Sequence, residues 1–138
     1  MIGGAFGLGN AVSESGIDSR VANGLLESFG TFGTVGAIVG LLITTMVLTE
    51  LITNAAAVVL AFPIALDVAA QTGLDARLLV IGIAVAGSAS FLTPIGYQTN
   101  MMVYGPGGYR FSDYLRLGVP LSLVTIAVIS TIVAMTAT

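Results

Sequence analysis

The sequence contains no cysteine and no histidine, and charged residues make up only 8% of its 138 positions. Without cysteine the chain has no disulfide, no thiol nucleophile and no thiolate ligand for a metal. No serine lies in a nucleophile context, and no two carboxylates share a plausible helix face. Because none of the usual catalytic groups is present in a workable arrangement, we expect the protein not to be an enzyme.

Positive charge is also scarce. The sequence has no lysine, and its four arginines are outnumbered by seven acidic residues, which gives a net charge of −3. Proteins that bind nucleic acids need clustered basic residues to neutralise phosphates, so we expect no nucleic-acid partner. Hydrophobic residues make up 56% of the chain, whereas a soluble domain has roughly a quarter of its residues charged. The composition predicts an integral membrane protein in contact with lipid.

The few charged residues divide the chain into four apolar runs. Ser28 to Thr49 and Leu117 to the C-terminus are long enough for a helix of about 20 residues, which crosses roughly 30 Å of hydrocarbon. Leu51 to Leu66 is shorter and predicts either a span across a thin bilayer or one arm of a re-entrant hairpin. These runs predict an all-α fold, because a helix satisfies its own backbone groups in lipid.

The remaining run, Leu78 to Tyr109, is too long for one helix and is interrupted by Pro94 and several glycines. This pattern predicts a broken helix, with a first half from about Asp75 to Ser90 and a short second half near Gln98 to Tyr104. Unwound backbone is tolerated at membrane depth only where protein or a water-filled cavity surrounds it.

The runs combine into a single membrane domain of five segments. Residues 1–27 form the end of a preceding helix and an interfacial segment, 28–72 a helical hairpin with its tip at 53–55, 75–104 the broken helix, 105–117 a loop, and 118–137 the last transmembrane helix. Arg110 and Arg116 flank that loop, and positive charge near helix ends favours the cytoplasm. We therefore expect a cytoplasmic loop, an external C-terminus and a multi-pass protein of the cell membrane.

The first residues lack the basic region and the cleavage site of a signal peptide. The chain begins in the middle of an apolar pattern, and the Thr53-Asn54-Ala55 motif occurs once. We therefore expect the chain to be part of a larger protein whose N-terminal repeat is missing here.

Thr53 and Asn54 interrupt the apolar hairpin with residue types that commonly cap helices. A helix that begins there aims free N–H groups and the positive end of its dipole at the tip, which suits a carboxylate or sulfate oxygen. The last carbonyls of the preceding helix, from Thr49 to Ile52, lack partners within that helix and suit Na⁺. The alternative interpretation is simple capping at a buried turn.

The second polar interruption, Thr93-Pro94, follows the same principle, because Pro94 has no N–H and frees a carbonyl one turn earlier. Two such interruptions facing each other would hold an anion and a cation together. Paired breaks in apolar segments are typical of the binding sites of secondary transporters. The alternative interpretation of Pro94 is a helix kink.

Three stretches around these interruptions, Glu50 to Ala57, Ser88 to Asn100 and Tyr104 to Tyr109, resemble the divalent anion:sodium symporter family. Members of that family carry sulfate or di- and tricarboxylates. The match covers nearly the whole chain and resembles the C-terminal inverted repeat, with an outward-facing re-entrant hairpin followed by a broken helix. The resemblance implies alternating access, Na⁺ as the coupling ion with no other cofactor, and a homodimer in the complete protein.

For the substrate, the resemblance implies five residues. The family's Ser-Asn-Thr signature falls on Thr53, Asn54 and Ala55, while Thr93 and Pro94 correspond to the lining of the substrate pocket. Ala55 departs from the signature and lacks the third hydroxyl that family members offer to a substrate carboxylate. Sulfate or another small oxyanion therefore stays open beside the di- and tricarboxylates.

For the sodium ion, the resemblance implies mostly backbone ligands. The carbonyls of Thr49, Ile52 and Leu92 correspond to sodium ligands, and Asn54 is implied to contact both the ion and the substrate. The anion and Na⁺ would bind near the middle of the membrane, at the two interruptions.

Glu50 leaves an alternative open. A carboxylate inside a membrane segment is a candidate for proton coupling, although a hydrogen-bonded structural role is commoner. The predicted function is half of a sodium-coupled symporter for divalent anions. The alternatives are a proton-coupled anion transporter and a small pore-forming or structural membrane protein.

Overall fold

The computed structural model describes residues 13–29 and 33–136, together with residues 4, 7, 10 and 11. Among these residues, every regular element from Ile17 onward is a helix. The helices are α1 (Ile17–Phe29), α2 (Gly33–Leu51), α3 (Asn54–Thr72), α4 (Ala76–Ala86), α5 (Gln98–Tyr104) and α6 (Phe111–Thr136).

Three of these helices are long and apolar enough to cross a membrane: α2 and α3 with 19 residues each, and α6 with 26. At 1.5 Å per residue, a helix of that shorter length is about 28 Å long, close to the thickness of the hydrocarbon layer. The helix α4 is a shorter apolar element of 11 residues. The predicted all-α membrane fold is confirmed in the described part of the chain.

The helices α2 and α3 form the predicted helical hairpin. Because α2 ends at Leu51 and α3 begins at Asn54, Ile52 and Thr53 form what we call the hairpin tip. Thr53 has extended backbone angles (φ −66°, ψ 148°), and its hydroxyl accepts a hydrogen bond from Ala56 N at 3.4 Å. The predicted start of a helix after a threonine cap is confirmed.

The helix α3 is longer than the apolar run that contains its first part. It continues through Asp67 to Thr72, whereas the run ends at Leu66. The acidic residue is accommodated because Gln71, one turn further on, donates to its carboxylate at 3.3 Å. Gly73 then ends α3 in the left-handed conformation, with φ at 73°.

The predicted broken helix is present, with one boundary shifted. The helix α5 has the predicted bounds, but α4 ends at Ala86, before the predicted Ser90. Residues 87–97 between them, here called the break, are irregular. The chain approaches α3 closely at Gly87, where a Cβ atom would clash with the Val58 side chain. Gly87 N, Ser88 N and Ala89 N still bond to carbonyls of α4, whereas Gly87 O and Ser90 Oγ bond across to Thr49 and Asn54 of the hairpin.

The helix α6 begins earlier than predicted. The sequence predicted a loop over residues 105–117 and a helix over 118–137, but α6 starts at Phe111. The Asp113 carboxylate accepts a hydrogen bond from Arg110 N at 2.8 Å, which satisfies an N–H group that the helix start leaves free. Two of the charged residues that suggested a loop, Asp113 and Arg116, thus lie in the first two turns of a helix. Residue 137 lies outside the described residues, and the cytoplasmic side of the loop stays a prediction.

The helices α2, α4 and α6 meet at the centre of the molecule. At Gly82 in α4, a Cβ atom would lie 3.5 Å from the Leu42 side chain of α2 and 3.6 Å from that of Ile129 in α6. Both side chains are buried. The three helices are therefore in van der Waals contact beside the break, which gives the break a packed support.

The helix α1 packs against the hairpin and lies in the predicted interfacial segment. Its Ala22 and Leu25 are buried, and Phe29 covers Gly40 of α2, where a Cβ atom would approach the ring to 2.9 Å. The preceding helix that was predicted for the first residues falls largely outside the described residues, as do residues 30–32 of the predicted hairpin.

Candidate functional site

The ends of the hairpin arms and the break meet in a compact group of oxygen atoms. Thr49 Oγ1, near the end of α2, lies 2.6 Å from Gly87 O and 2.9 Å from Asn54 Oδ1. Ser90 Oγ, in the break, lies 3.2 Å from Thr49 Oγ1 and donates to Asn54 Oδ1 at 3.1 Å. We call these four atoms the oxygen cluster. They join three separate segments of the chain.

The oxygen cluster has more acceptor sites than protons. Thr49 and Ser90 contribute one hydroxyl proton each, whereas the amide oxygen of Asn54 and the carbonyl of Gly87 only accept. Thr49 is fully buried and Ser90 is 4% exposed. A buried group of uncharged oxygens is chemically suited to a hard cation such as Na⁺.

Three carbonyl groups that were predicted as sodium ligands are free of competing hydrogen bonds. Thr49 O, Ile52 O and Leu92 O accept none from the described residues. The first two are free because α2 stops at Leu51, which leaves its last carbonyls without an N–H group one turn later. Leu92 O is free because the surrounding break is not helical.

A cavity of about 520 Å³ opens beside the hairpin tip. The tip and the adjoining ends of α2 and α3 line one side, and the break and the start of α5 line the other. No basic side chain occurs among these described lining residues, so an anion bound here would meet no arginine. The lining residues are Glu50, Leu51, Ile52, Thr53, Asn54, Ala55, Ile95, Gly96, Tyr97 and Gln98.

The five predicted substrate residues fall into two groups. Thr53, Asn54 and Ala55 line the cavity. Among the described residues, Thr93 and Pro94 are not part of its lining: the Thr93 hydroxyl donates to a carboxylate at 2.6 Å, and Pro94 is buried.

The four predicted sodium residues lie around the same junction. Thr49 and Asn54 contact each other directly in the oxygen cluster. Ile52 lines the adjacent cavity, while Leu92 lies in the break and donates its N–H to Glu50 at 2.7 Å. The structure thus brings both arms of the hairpin and the break to one place.

The start of α3 presents hydrogen-bond donors beside the cavity. Ala56 N bonds to the Thr53 hydroxyl, and Ala57 N bonds to the Thr53 carbonyl. Asn54 N and Ala55 N donate to none of the described residues. Asn54 Nδ2 has no acceptor among them either, because the amide oxygen is the atom turned toward the hydroxyl groups. These donors and the helix dipole favour an anion.

Two further polar side chains hold the break in place. Glu50, which is 7% exposed, accepts hydrogen bonds from Leu92 N at 2.7 Å and from Thr93 Oγ1 at 2.6 Å. Asn100 Nδ2 donates to Ser90 O at 2.9 Å and to Thr93 O at 3.2 Å. The sequence singled out Glu50 without its partners and gave no role to Asn100. The amide side chain of Asn100 in the short helix α5 was a signal that could have indicated its role.

A family model described as a citrate transporter matches residues 1–138, the whole chain. A putative sulfur deprivation response regulator of Chlamydomonas reinhardtii is 43% identical over 123 residues, which cover 89% of this chain and 21% of that protein. An uncharacterized transporter of Synechocystis sp. is 41% identical over 124 residues, or 90% of this chain and 20% of the relative.

Another relative, a probable sodium/sulfate cotransporter of Chlamydomonas reinhardtii, is 33% identical over 130 residues, which cover 94% of this chain and 14% of that protein. The chain therefore spans between 14% and 21% of the length of these three relatives.

Proposed function

Because the chain belongs to the citrate transporter family, we propose that it supplies half of the binding site of a sodium-coupled symporter for divalent anions. The observation that carries the proposal is the meeting of the hairpin arms with the break. This junction places a buried oxygen cluster beside free N–H groups at the start of α3. The first suits a cation, and the second suits an anion. Alternating access to such a paired site would move both ions together.

Family membership places the chain among transporters rather than enzymes, in agreement with the resemblance noted from its sequence. The three long apolar helices make it a multi-pass membrane protein. The cell membrane is its proposed location.

The cation would bind between the hairpin and the break. We assign to it the side-chain oxygens of Thr49 and Asn54, together with the free carbonyls of Thr49, Ile52 and Leu92. These groups are uncharged, which suits a monovalent ion better than a divalent one, because a divalent cation usually requires carboxylate ligands.

The anion would bind in the adjacent cavity. Its donors would be Asn54 N, Ala55 N and Asn54 Nδ2, with the dipole of α3 adding a positive potential. Because no basic side chain lines the cavity, the cation would have to balance most of the charge of the anion. This shared requirement gives a physical reason for coupling: each ion stabilises the other in the site.

Two observations bear on the substrate. Relatives include sodium/sulfate cotransporters of Chlamydomonas reinhardtii, and Ala55 offers no hydroxyl to a carboxylate. Both favour sulfate or another small divalent oxyanion. The description of the matching family model as a citrate transporter keeps a di- or tricarboxylate as the second candidate.

The other half of the site would come from a second repeat of the complete protein. The cavity beside the hairpin tip is open rather than enclosed, which leaves room for a facing set of ligands. The complete transporter would be a homodimer, with membrane lipid around its outer surface.

The test replaces Asn54 by alanine in the complete protein. Asn54→Ala removes an oxygen from the cation group and a donor from the anion group, so sodium-driven uptake should fall more than about tenfold, the loss expected when a central polar ligand is removed. Initial rates of radiolabelled sulfate and succinate uptake into proteoliposomes measure this.

Asn23→Ala is the matched control, because Asn23 is exposed on α1, outside the described cavity lining. It should transport like the wild type. Both variants should elute as the same species in size-exclusion chromatography. Normal sodium-driven uptake by Asn54→Ala would contradict the assignment of the site.

A further inference from the structure

We propose that Glu50 is a positioning residue whose carboxylate holds residues 92–96 of the break against the hairpin and thereby sets the affinity of the cation group. We call its two hydrogen bonds, to Leu92 N and Thr93 Oγ1, the carboxylate clamp. The link to cation affinity rests on the proposed function, whereas the holding of residues 92–96 against the hairpin does not.

The carboxylate clamp is buried and fully engaged. Glu50 is 7% exposed, and each of its carboxylate oxygens accepts one short hydrogen bond, at 2.7 Å from Leu92 N and at 2.6 Å from Thr93 Oγ1. In both contacts a carboxylate oxygen accepts. Hydrogen bonds to a carboxylate are about twice as strong as those between neutral groups. A buried charge without such partners would be strongly unfavourable.

The partners of Glu50 have no alternative support of the same kind. Leu92 N lies in irregular backbone, where no helical carbonyl is available to accept its hydrogen bond. Thr93 Oγ1 donates to Glu50 while it accepts from Gly96 N at 2.9 Å. The carboxylate therefore fixes Leu92 directly and fixes Gly96 through the Thr93 hydroxyl.

Glu50 and its neighbour Thr49 hold the two sides of the break. Thr49 Oγ1 contacts Gly87 O and Ser90 Oγ in the first part of the break. Glu50 binds Leu92 and Thr93 in the second part. The last turn of α2 thus fixes the break at both ends. Leu92 O belongs to the assigned cation group. Weakening the hydrogen bonds of Glu50 therefore displaces this ligand of the cation but removes none of the ligands.

The break packs closely against the clamp at Gly96. A Cβ atom at Gly96 would clash with Glu50 Oε2 and would lie 3.1 Å from the carboxylate carbon and 3.2 Å from Ser90 Cβ. The break therefore lies directly on the carboxylate, and the absence of a side chain at Gly96 allows this approach.

Glu50→Gln changes the clamp without removing any of the assigned ligands of the cation. The amide keeps an oxygen for Leu92 N, while its NH₂ group cannot accept from the Thr93 hydroxyl and can only donate to it. The nearly isosteric change thus replaces the hydrogen bonds to a carboxylate by weaker neutral ones while it retains packing. Glu27→Gln is the matched control, because it makes the same substitution at a residue that is exposed on α1.

The readout is chemical labelling of the break in the complete transporter. Ile95→Cys places a thiol on a cavity-lining residue that is 63% exposed. Since this chain has no cysteine, only cysteines in the rest of the protein need replacement. The rate of maleimide labelling is measured in proteoliposomes over a series of sodium concentrations, with Ile95→Cys alone as the reference.

Glu50→Gln should accelerate labelling without sodium by about threefold or more, because a loosened segment exposes its side chains more often. It should also raise the sodium concentration that gives half-maximal protection by about tenfold, as expected for weakening one charge-assisted hydrogen bond. Glu27→Gln should change neither value. An unchanged labelling rate in Glu50→Gln would overturn the proposal.

Two outcomes separate this proposal from the proposed function. If sodium protects none of the proteins but Glu50→Gln still labels faster, the clamp stands and sodium coupling fails. If sodium protects the wild type and Glu50→Gln equally, at equal labelling rates, sodium coupling stands and the clamp fails.

A second pair of variants keeps the test decisive if Glu50→Gln gives no folded protein. Thr93→Val removes the hydroxyl that binds Glu50 Oε2, whereas Thr93→Ser retains it. Faster labelling in the valine variant, with wild-type behaviour in the serine variant, supports the clamp. Equal behaviour of the two variants overturns it.

Discussion

At the residue scale, Asn54 joins two chemistries in one side chain. Its amide oxygen lies within hydrogen-bond distance of the hydroxyls of Thr49 and Ser90, while its amide nitrogen has no acceptor among the described residues. An amide can therefore contribute an oxygen to a cation and a donor to an anion at once. A carboxylate at this position would offer acceptor oxygens only.

The contact between Gly96 and Glu50 allows a prediction. Gly96→Ala should displace the carboxylate, because the added Cβ atom would clash with Glu50 Oε2. The side chain cannot move aside without losing its bonds to Leu92 N and Thr93 Oγ1. The sodium concentration for half-maximal uptake should rise by about tenfold, the effect of one weakened charge-assisted bond.

Gly105→Ala is the control for that change. Gly105 follows α5, has a φ of −70°, and has nothing within 4 Å of the position that a Cβ atom would take. The same uptake assay should give wild-type sodium dependence for this variant. Equal sodium dependence of Gly96→Ala and the wild type would show that the clamp does not need the close approach.

Local chemistry was predictable at this scale, but partners were not. The cap at Thr53 follows from the preference of its side chain for helix starts, and the structure confirms it. The carboxylate of Glu50 pairs with residues 42 and 43 positions away. Hydropathy and capping patterns act over a few residues, so they contain no information on which distant N–H a buried acid will meet.

At the element scale, the sequence predicted the two interruptions and the short helix α5 but misplaced two helix boundaries. α4 was predicted to reach about Ser90, yet the helix ends at Ala86, where Gly87 meets α3. α6 was predicted to start at residue 118 because charged residues precede it, yet Asp113 serves as a cap. Tertiary contact decided the first boundary, and side-chain capping decided the second.

The helix α6 is attached to the break by two different contacts. Tyr114 donates its hydroxyl proton to Asn100 O at 2.9 Å, which links α6 to the residue that binds the carbonyls of Ser90 and Thr93. Gly118 lies against the backbone of Phe91, where a Cβ atom would clash with the carbonyl oxygen and lie 2.7 Å from its carbon. The last helix therefore also supports the break.

This packing predicts that Gly118→Ala destabilises the protein. Alanine normally favours a helix over glycine by about 1 kcal/mol, so the intrinsic effect is stabilising. Here the clash is with backbone, which cannot rotate away, and overpacking of this type costs about 1–3 kcal/mol. The apparent melting temperature of the purified complete protein should fall.

Gly24→Ala is the matched control, because Gly24 lies in α1 with nothing within 4 Å of its Cβ position. Its melting temperature should be unchanged or higher. A melting temperature of Gly118→Ala at or above that of the wild type would contradict the close packing of α6 on the break.

At the scale of the whole molecule, composition was sufficient to predict the class. The chain has 8% charged residues and 56% hydrophobic residues, and three of the helices in its described part are long enough to cross a membrane. The junction of the hairpin with the break forms only after the helices have packed. The motif predicted which residues would be polar at that junction, whereas the oxygen cluster and the clamp required the fold.

The chain covers between 14% and 21% of the length of three of its relatives. Its cavity is open rather than enclosed and is lined by the hairpin, the break and the start of α5. Sodium-coupled transport and a second repeat that faces this half-site are proposals about the complete protein. The ion-coupling chemistry proposed above therefore has to be measured on that protein.

Sodium coupling is tested by uptake of radiolabelled sulfate and of succinate into liposomes that contain the complete protein, with and without an inward sodium gradient. We expect accumulation of one of these anions above its external concentration with the gradient and none without it. Accumulation driven by a proton gradient alone, or ion leak with no accumulation of either anion, would contradict sodium-coupled symport.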